Sequence, residues 1–282
     1  MTSLPEAHEM DSRTYQHQMD SPVAEPPRRV VSLVPSMTES LFELNVGDRL
    51  IAVTDYCIYP ADQVARLPRI GGTKNPDVQR IIEMHPDLVL ANHEENRKED
   101  IEALQAAGIP VWVTFPRTMR EAFNVLWNIM HLFDEPGLVE RVRAMEWTLD
   151  WLERMAENRE SPLKVFVPIW NDPLMTFNAE TYAHDLIRVC GGTNVFAAGE
   201  TRYPHVTLEE VEAAQPDLIL LPSEPFADHA ALFRGLAVPA AQNGRILTVD
   251  GSLLFWHGTR MARAMNMLPA MFYPIMDEGS SG

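Results

Sequence analysis

The alternation of apolar and polar positions follows the same order twice along the chain. Residues 78–95 carry helically spaced apolar side chains, then a Pro-Asp pair, a short apolar run and a polar segment rich in glutamate. Residues 208–225 follow the same order, and a second apolar run comes later in each copy, at 109–113 and 245–249. A supersecondary unit used twice predicts two similar α/β lobes. The cleft between two lobes is a common place for a small ligand.

Residues 118–157, between the two copies, are helical in pattern almost throughout, with an interruption at 134–137. From residue 138 onward four apolar side chains recur at helical spacing: Val142, Met145, Leu149 and Leu152. This pattern predicts a helix of about 20 residues, roughly 30 Å long. A single helix of that length would join the lobes stiffly rather than as a hinge.

Each lobe is expected to open with a buried strand. In the first lobe residues 29–34 form the apolar run and Pro35 ends it. Ser36 is then expected to cap the following helix, with Glu39 completing a capping box. Such a junction directs free backbone N–H groups beyond the end of the strand.

In the second lobe the opening strand is predicted at residues 164–170. A helix from about Glu180 should end at Gly191-Gly192, a favourable C-cap. Its apolar spacing predicts that Tyr182, His184 and Arg188 point away from the core.

These patterns divide the chain into five segments. They are a disordered leader (1–27), an N-terminal α/β lobe (28–117), a helical linker that contains the long helix (118–160), a C-terminal α/β lobe (161–276) and a flexible tail (277–282).

Composition and charge narrow the class of protein. Hydrophobic residues make up 46% and charged residues 22%, as in ordinary globular proteins. The formal net charge of −17 disfavours nucleic acid and anionic membranes as partners. No apolar run approaches the roughly 20 residues of a membrane span. Cys57 and Cys190 fall in different predicted lobes, so we expect free, at least partly buried thiols rather than a disulfide.

The first ten residues lack the basic start and apolar segment of a secretion signal. We therefore expect a cytoplasmic protein, or an extracytoplasmic one if the true start lies upstream.

Five short segments carry a family resemblance, in the same order as in that family: residues 31–39 (VSLVPSMTE), 56–60 (YCIYP), 86–90 (PDLVL), 189–196 (VCGGTNVF) and 258–260 (GTR). The chain resembles class III solute-binding proteins, the helical-backbone group that includes vitamin B12-, haem- and ferric-siderophore-binding proteins of ABC importers. The resemblance covers about residues 28–273 and is greatest to the cobalamin-binding branch. It implies two Rossmann-like lobes bridged by one long helix, with a corrinoid lying flat in a shallow cleft.

The resemblance also implies that an importer permease could be a binding partner. Proteins of this family place one acidic residue on each lobe to dock onto arginines of the permease. Glu209 matches that position in the second lobe, but Gln79 stands at the matching position in the first. We therefore expect docking to be weak, with Asp77 and Glu83 as alternative carboxylates nearby.

Candidate ligand contacts lie where the predicted strands end at the cleft. Flat macrocycles are held mostly by aromatic faces and a few hydrogen bonds. The best four aromatic candidates are therefore Tyr56, Trp170, Tyr203 and Trp256, each of which could instead be a half-buried surface residue. The full candidate set is Ser36, Tyr56, Thr73, His93, Glu94, Phe115, Trp170, Tyr203, Ser223, Glu224, Trp256 and His257.

Two parts of the sequence bear on metal chemistry. Residues 93–97 (HEENR) resemble the zinc motif H-E-x-x-H, but Arg97 replaces its second histidine. A polar helix N-terminus is the better interpretation. For His257 the alternatives are axial coordination of a ligand's cobalt or iron and a hydrogen bond to the ligand, and we favour the hydrogen bond.

The sequence has no G-x-S-x-G, P-loop, G-x-G-x-x-G or Cys-x-x-Cys motif. This absence favours a non-catalytic protein, and the resemblance implies one without an intrinsic cofactor that binds a corrinoid or related metal chelate. Such a protein would be either the binding component of an ABC importer or a cytoplasmic carrier or sensor. The alternatives are a haem- or ferric-siderophore-binding protein, and an enzyme acting on a small cofactor precursor.

Overall fold

The structure is a computed structural model that describes residues 22–135, 137, 139–226 and 230–274. Most of the predicted leader and the whole predicted tail lie outside the described residues. The boundaries drawn between the segments remain a prediction.

The first lobe contains a four-stranded parallel sheet. Its elements are β1 (Val30–Ser32), α1 (Pro35–Glu43), β2 (Leu50–Val53), α2 (Ala61–Val64), β3 (Gly71–Gly72), β4 (Asn75–Pro76), α3 (Val78–Glu83), β5 (Leu88–Asn92), α4 (Lys98–Ala106) and β6 (Val111–Thr114), with a 3₁₀ turn at Gly47–Arg49. The sheet order is β2-β1-β5-β6, and β3 and β4 pair separately as an antiparallel ribbon. Residues of β1 are buried on both faces, as expected of a central parallel strand.

Two long helices follow, α5 (Met119–Leu132) and α6 (Val139–Glu157). The 19 residues of α6 bury the four apolar side chains that the spacing singled out, namely Val142, Met145, Leu149 and Leu152. The predicted long helix is therefore confirmed.

The second lobe contains the same kind of sheet, with strand order β10-β7-β11-β12, all parallel. Its elements are β7 (Leu163–Phe166), β8 (Trp170–Asn171), β9 (Leu174–Met175), α7 (Tyr182–Val189), β10 (Gly192–Asn194), α8 (Leu208–Ala214), β11 (Leu218–Pro222), α9 (Ser223–Phe226), α10 (Ala230–Arg234), α11 (Pro239–Gln242), β12 (Ile246–Val249), α12 (Gly251–Phe255) and α13 (Met261–Phe272).

The sequence repeat is a structural repeat. Helices α3 and α8 both begin after a side-chain cap: Asp77 accepts from Arg80 N, and Thr207 accepts from Glu210 N. Each helix leads to a strand, β5 or β11, that holds the third place in its sheet. Two α/β lobes joined by a long helix are thus confirmed.

The largest apolar cluster runs through both lobes rather than staying within one. It includes Met37 of α1, Phe123 of α5, Leu149 of α6, Leu186 of α7 and Leu268 of α13. Each lobe adds a smaller cluster of its own beside its sheet. Because the shared cluster is continuous, the lobes are packed together and not only tethered.

Two local predictions are wrong. Helix α1 begins at Pro35, with Val34 as N-cap and no side-chain cap. Proline is favourable at the first helical position, so the helix starts one residue early and Ser36 lies inside its first turn. The Ser36 hydroxyl is buried without a hydrogen-bond partner among the described residues, and the Glu39 side chain pairs with Arg260 instead of completing a capping box.

Tyr182 is the second local error. It is the first residue of α7, and it lies in the core with 5% of its surface exposed. Helices α6 and α12 both pack against α7, so more of α7 is buried than a single apolar stripe predicts. Cys57 and Cys190 are buried free thiols, as expected.

Candidate functional site

A cleft lies where the carboxyl ends of the two sheets meet, and it holds two adjoining pockets. The inner pocket, of about 350 Å³, is lined by Asn92, Glu94, Glu95, Pro116, Ile169, Phe177, Thr181, Tyr182, Ala183, Tyr203, Glu224, Phe255, Trp256 and His257. The outer pocket, of about 590 Å³, is lined by Ile58, Tyr59, Ser223, Glu224, Thr248, Val249, Asp250, Gly251, Ser252, Phe255 and Trp256. Glu224, Phe255 and Trp256 line both pockets, so these residues lie at the boundary between them.

A side-chain turn at the end of β5 places two glutamates at the inner pocket. The Asn92 side-chain oxygen accepts from the backbone N of Glu94 at 2.8 Å and of Glu95 at 3.3 Å. Asn96 holds this turn, since its Oδ1 accepts from Asn92 N at 2.8 Å. Helix α4 begins only at Lys98, so the expectation that these carboxylates form a helix N-terminus is wrong. The physical reason is that Asn92 satisfies the turn locally before a helix can start.

Glu94 joins the two lobes across the cleft. Its Oε1 accepts from Arg202 Nε at 2.8 Å and from the Tyr203 hydroxyl. The Arg202 guanidinium also lies over the Phe115 ring at 4.7 Å. Burial, with the Glu94 carboxylate adding to it, raises the pKa of Tyr203 to about 12.

Glu95 is a half-buried carboxylate on the same turn, next to Glu94. Burial, together with the neighbouring Glu94 charge, raises its pKa to about 7 against an opposing effect of Lys74. Glu95 therefore changes protonation near neutral pH, inside the pocket.

Two buried polar side chains of the inner pocket have no hydrogen-bond partner among the described residues. His257 is 5% exposed with both ring nitrogens unpartnered, and the Tyr182 hydroxyl is likewise unpartnered. The two rings meet edge to face with centroids 6.4 Å apart. Burial lowers the pKa of His257 to about 4, so the imidazole is neutral at physiological pH. Unpaired buried groups of this kind are costly unless a ligand or water completes them.

Arg260 links the first lobe to the wall of the outer pocket. Its guanidinium binds both oxygens of the buried Glu39 carboxylate, with Nε at 2.6 Å, and its Nη1 donates to Ser252 at 2.8 Å. The same group lies over the rings of Tyr59 at 4.5 Å and Trp256 at 5.0 Å. Arg260 thereby holds Trp256 in place at the cleft.

The structure brings half of the predicted site residues to the two pockets. Those that line a pocket are Glu94, Tyr203, Ser223, Glu224, Trp256 and His257. Three aromatic candidates are exposed and line neither pocket, namely Tyr56, Phe115 and Trp170. His93 packs on Phe115 outside the pockets, at 4.6 Å between ring centroids.

Thr73 and Ser36 also lie outside the pockets. The Thr73 carbonyl accepts from Asn96 Nδ2 at 3.0 Å and so supports the turn that carries the glutamates. Ser36 is buried in α1.

Sequence reasoning missed several lining residues, among them Phe177, Tyr182 and Phe255. Phe255 ends α12, a five-residue helix between β12 and Gly258 that the apolar spacing does not predict. Tyr182 was assigned to the wrong face of its helix. Neither residue lies in a motif, so no local signal marks it as part of a cleft.

Within the described ranges, no cluster of three or more His, Cys, Asp or Glu side chains could hold a metal ion. No helix in the same ranges is long and apolar enough to cross a membrane.

Comparison with known proteins gives one family. The sequence model of the family described as periplasmic binding protein matches residues 30–253. A vitamin B12-binding protein of Vibrio campbellii is 26% identical over 251 residues, covering 86% of this chain and 87% of the relative. One of Yersinia pestis is 30% identical over 202 residues, covering 70% of each chain.

Solved structures share the fold. The periplasmic vitamin B12 binding protein of Vibrio cholerae has a TM-score of 0.76 at 24% identity, covering 88% of this chain and 97% of that one. The periplasmic heme-binding protein RhuT of Roseiflexus has a TM-score of 0.72 at 24% identity, covering 87% and 98%.

These comparisons confirm the resemblance to class III binding proteins, and the prediction of a binding protein rather than an enzyme. The expectation of a cytoplasmic location is wrong, because the matching family and the structural relatives are periplasmic, outside the cytoplasm. The composition of the first residues is a weak guide to location, since it describes a targeting segment and not the folded protein.

Proposed function

The chain belongs to the periplasmic binding protein family, and we propose that it holds a corrinoid between its two lobes. The observation that carries this proposal is the pair of adjoining pockets, separated by the Trp256 and Phe255 side chains. A ligand wide enough to extend over both pockets would meet aromatic faces in its middle. Flat macrocycles have that shape, and aromatic faces bind them without costly rearrangement.

The named relatives support a corrinoid among such macrocycles. Sequence relatives that cover most of the chain are vitamin B12-binding proteins. Related metal chelates such as haem are the alternative, because heme-binding proteins share the fold. A fold alone does not select a ligand, so the choice depends on the chemistry of the pockets.

His257 would donate or accept a hydrogen bond with the ligand rather than coordinate its metal. The imidazole is neutral and its two ring nitrogens have no partner among the described residues, so His257 brings one donor and one acceptor to the lining of the inner pocket. Coordination would shift the visible bands of the bound corrin or haem, and His257→Ala would abolish that shift. Equal spectra for the parent and His257→Ala complexes are expected.

Isothermal titration with cyanocobalamin and, separately, with haemin tests the ligand class. We expect saturable binding of one cyanocobalamin per chain and weaker or no binding of haemin. Stoichiometric haemin binding without cyanocobalamin binding would transfer the proposal to haem. Failure of both ligands would overturn it.

We further propose that the protein delivers its ligand to an ABC importer permease, with Glu209 as one docking residue. Glu209 is exposed in the first turn of α8, and Gln79 holds the same position in α3. Asp77 is occupied as the cap of α3, and Glu83 accepts a hydrogen bond from Gln79 at 3.0 Å. One lobe therefore offers a weaker charge contact than the other.

Reconstitution with a cobalamin-importing permease in proteoliposomes measures this docking. Removing one partner of an interface charge pair typically costs about 2–5 kcal/mol. Gln79→Glu should therefore tighten docking strongly and make it more sensitive to salt, while Glu209→Gln should weaken it. Tight docking that neither substitution changes would contradict the assigned contact.

A further inference from the structure

Among the described residues, every charged side chain that lines either pocket is acidic. Glu94 and Glu95 line the inner pocket, Asp250 lines the outer one, and Glu224 lines both. His257, the remaining candidate cation of the lining, is neutral at physiological pH because burial lowers its pKa. A ligand in the cleft therefore meets carboxylates and no opposing positive charge from the lining.

Three basic side chains beside these carboxylates are each bound to other groups of the protein. Arg202 donates through Nε to Glu94 and through Nη1 to the Glu180 carbonyl, and its Nη2 is buried without a partner among the described residues. Arg260 is paired with the buried Glu39 carboxylate. Lys74 donates to the Glu94 carbonyl at 2.6 Å. None of these three cations lines either pocket.

The inner pocket also presents hydrogen-bonding groups that have no partner among the described residues. His257 and Tyr182 are each 5% exposed and line the pocket, and the two ring nitrogens and the Tyr182 hydroxyl are the unpartnered groups. A neutral imidazole has one donor and one acceptor, and a phenol has one of each. A primary amide, which carries both kinds of group, can satisfy them together and can also donate to a glutamate.

We propose that this cleft selects ligands whose periphery carries neutral primary amides, and discriminates against otherwise identical ligands that carry peripheral carboxylates. The inference rests on the proposed function and makes it more specific. Corrinoids with intact amide side chains belong to the accepted class. Haem, with its two propionate carboxylates, belongs to the disfavoured class.

The expected size of the discrimination follows from charge repulsion. A ligand carboxylate placed about 5–6 Å from a pocket carboxylate, at an effective dielectric constant of about 25–40, loses roughly 10- to 100-fold in affinity. The acid also loses one hydrogen bond, because an amide N–H can donate to a pocket carboxylate and a ligand carboxylate cannot.

A matched ligand pair tests the proposal without changing the macrocycle or its metal. Cyanocobalamin is compared with its three separated monocarboxylic acids, in each of which one propionamide is hydrolysed to a propionate. Titration calorimetry at pH 8 should give a dissociation constant about 10- to 100-fold higher for at least one of the three acids.

Variants then assign the discrimination to the pockets. Glu94→Gln and Glu224→Gln should each tighten binding of the disfavoured acid by threefold or more, and so narrow the ratio of the two dissociation constants. Glu157→Gln removes one exposed charge at the end of α6, outside the pockets, and should leave that ratio unchanged. Circular dichroism confirms that each variant is folded.

The outcomes separate the two proposals. If all three acids bind as tightly as cyanocobalamin, the charge selection is overturned while corrinoid binding stands. A discrimination that survives both the Glu94→Gln and Glu224→Gln substitutions also overturns the assignment to these carboxylates. If neither cyanocobalamin nor the acids bind, the proposed function fails, and the inference fails with it.

Discussion

Of the side chains that line both pockets, Trp256 has the largest aromatic surface. It is held by the Arg260 guanidinium at 5.0 Å and by the edge of the Tyr59 ring, with centroids 6.0 Å apart. An indole fixed in this way loses little side-chain entropy when a ligand binds. Its contribution to affinity should therefore be large for a single residue.

Trp256→Ala is expected to weaken cyanocobalamin binding about tenfold or more. Aromatic stacking contributes about 0.5–1.5 kcal/mol beyond area burial, and the lost apolar area adds to this. Titration calorimetry measures the change. Trp147→Ala is the matched control, because Trp147 is 60% exposed on α6 and lines neither pocket. Equal affinities for the parent protein and Trp256→Ala would place the ligand elsewhere.

His257 should make the protein less stable in acid. Its folded pKa is about 4 and its ordinary value is 6.5, so the unfolded chain binds the proton more readily. The stability present above pH 6.5 is lost as the pH falls through that window toward 4. Urea unfolding at pH 7.5 and 4.5 should show a smaller loss in His257→Gln, by roughly 2 kcal/mol. An identical loss in both proteins would show that the imidazole is protonated normally in the fold.

Glu95 should have the opposite effect on the pH dependence of stability. Its folded pKa of about 7 lies above its ordinary 4.5, so its contribution is fully present below pH 4.5 and is lost as the pH rises through 7. Glu95→Gln should therefore gain stability relative to the parent between pH 5 and pH 8, by about 1–3 kcal/mol. Urea unfolding of the parent and Glu95→Gln at pH 5 and pH 8 measures this gain in stability. A variant that loses stability over this range would mean that the carboxylate is paired favourably.

At the scale of elements, residues 258–260 join the second lobe to α1 of the first. Thr259 N donates to Ser40 Oγ at 3.1 Å, and the adjacent Arg260 pairs with Glu39. The approach depends on Gly258, whose φ is +92° and where an added Cβ would lie 2.2 Å from Ser40 Oγ. A side chain at this position would push the segment away from α1.

Gly258→Ala should destabilise the fold by about 2–4 kcal/mol, through the left-handed backbone and the clash together. Gly108→Ala is the control for the backbone alone, since φ is +79° there and nothing lies within 4 Å of an added Cβ. It should cost only about 1 kcal/mol. Urea unfolding of both variants gives the difference, and equal costs would argue against the close packing on α1.

At the scale of the whole molecule, the lobes are held by α6, by a continuous apolar cluster and by the 258–260 segment. A hinge needs a few residues that can change backbone angles freely, and a 19-residue helix does not provide them. The cleft is therefore expected to be largely formed before the ligand arrives.

Small-angle scattering with and without cyanocobalamin tests whether the lobes close on the ligand. We expect a radius of gyration unchanged within experimental error, because packed helices resist rigid-body closure. A clear fall on ligand addition, like that of hinge-closing binding proteins, would contradict a stiff connection.

The sequence by itself determined the two lobes, the long helix and the family. Those features depend on apolar spacing and on helix and strand ends, which are local and repeat within the chain. It also singled out Glu94, Trp256 and His257 as candidates, because they follow predicted strands or lie beside a glycine near the end of the second lobe.

Only the tertiary structure decided which candidates share a pocket and how they are paired. Tyr182 and Glu95 became pocket residues because packing on α7 and the turn at Asn92 placed them there. The Glu94–Arg202 and Glu39–Arg260 pairs join residues 108 and 221 positions apart, and no local pattern records such distances. Burial, which shifts the pKa values and leaves His257 unpartnered, is likewise a property of the assembled lobes.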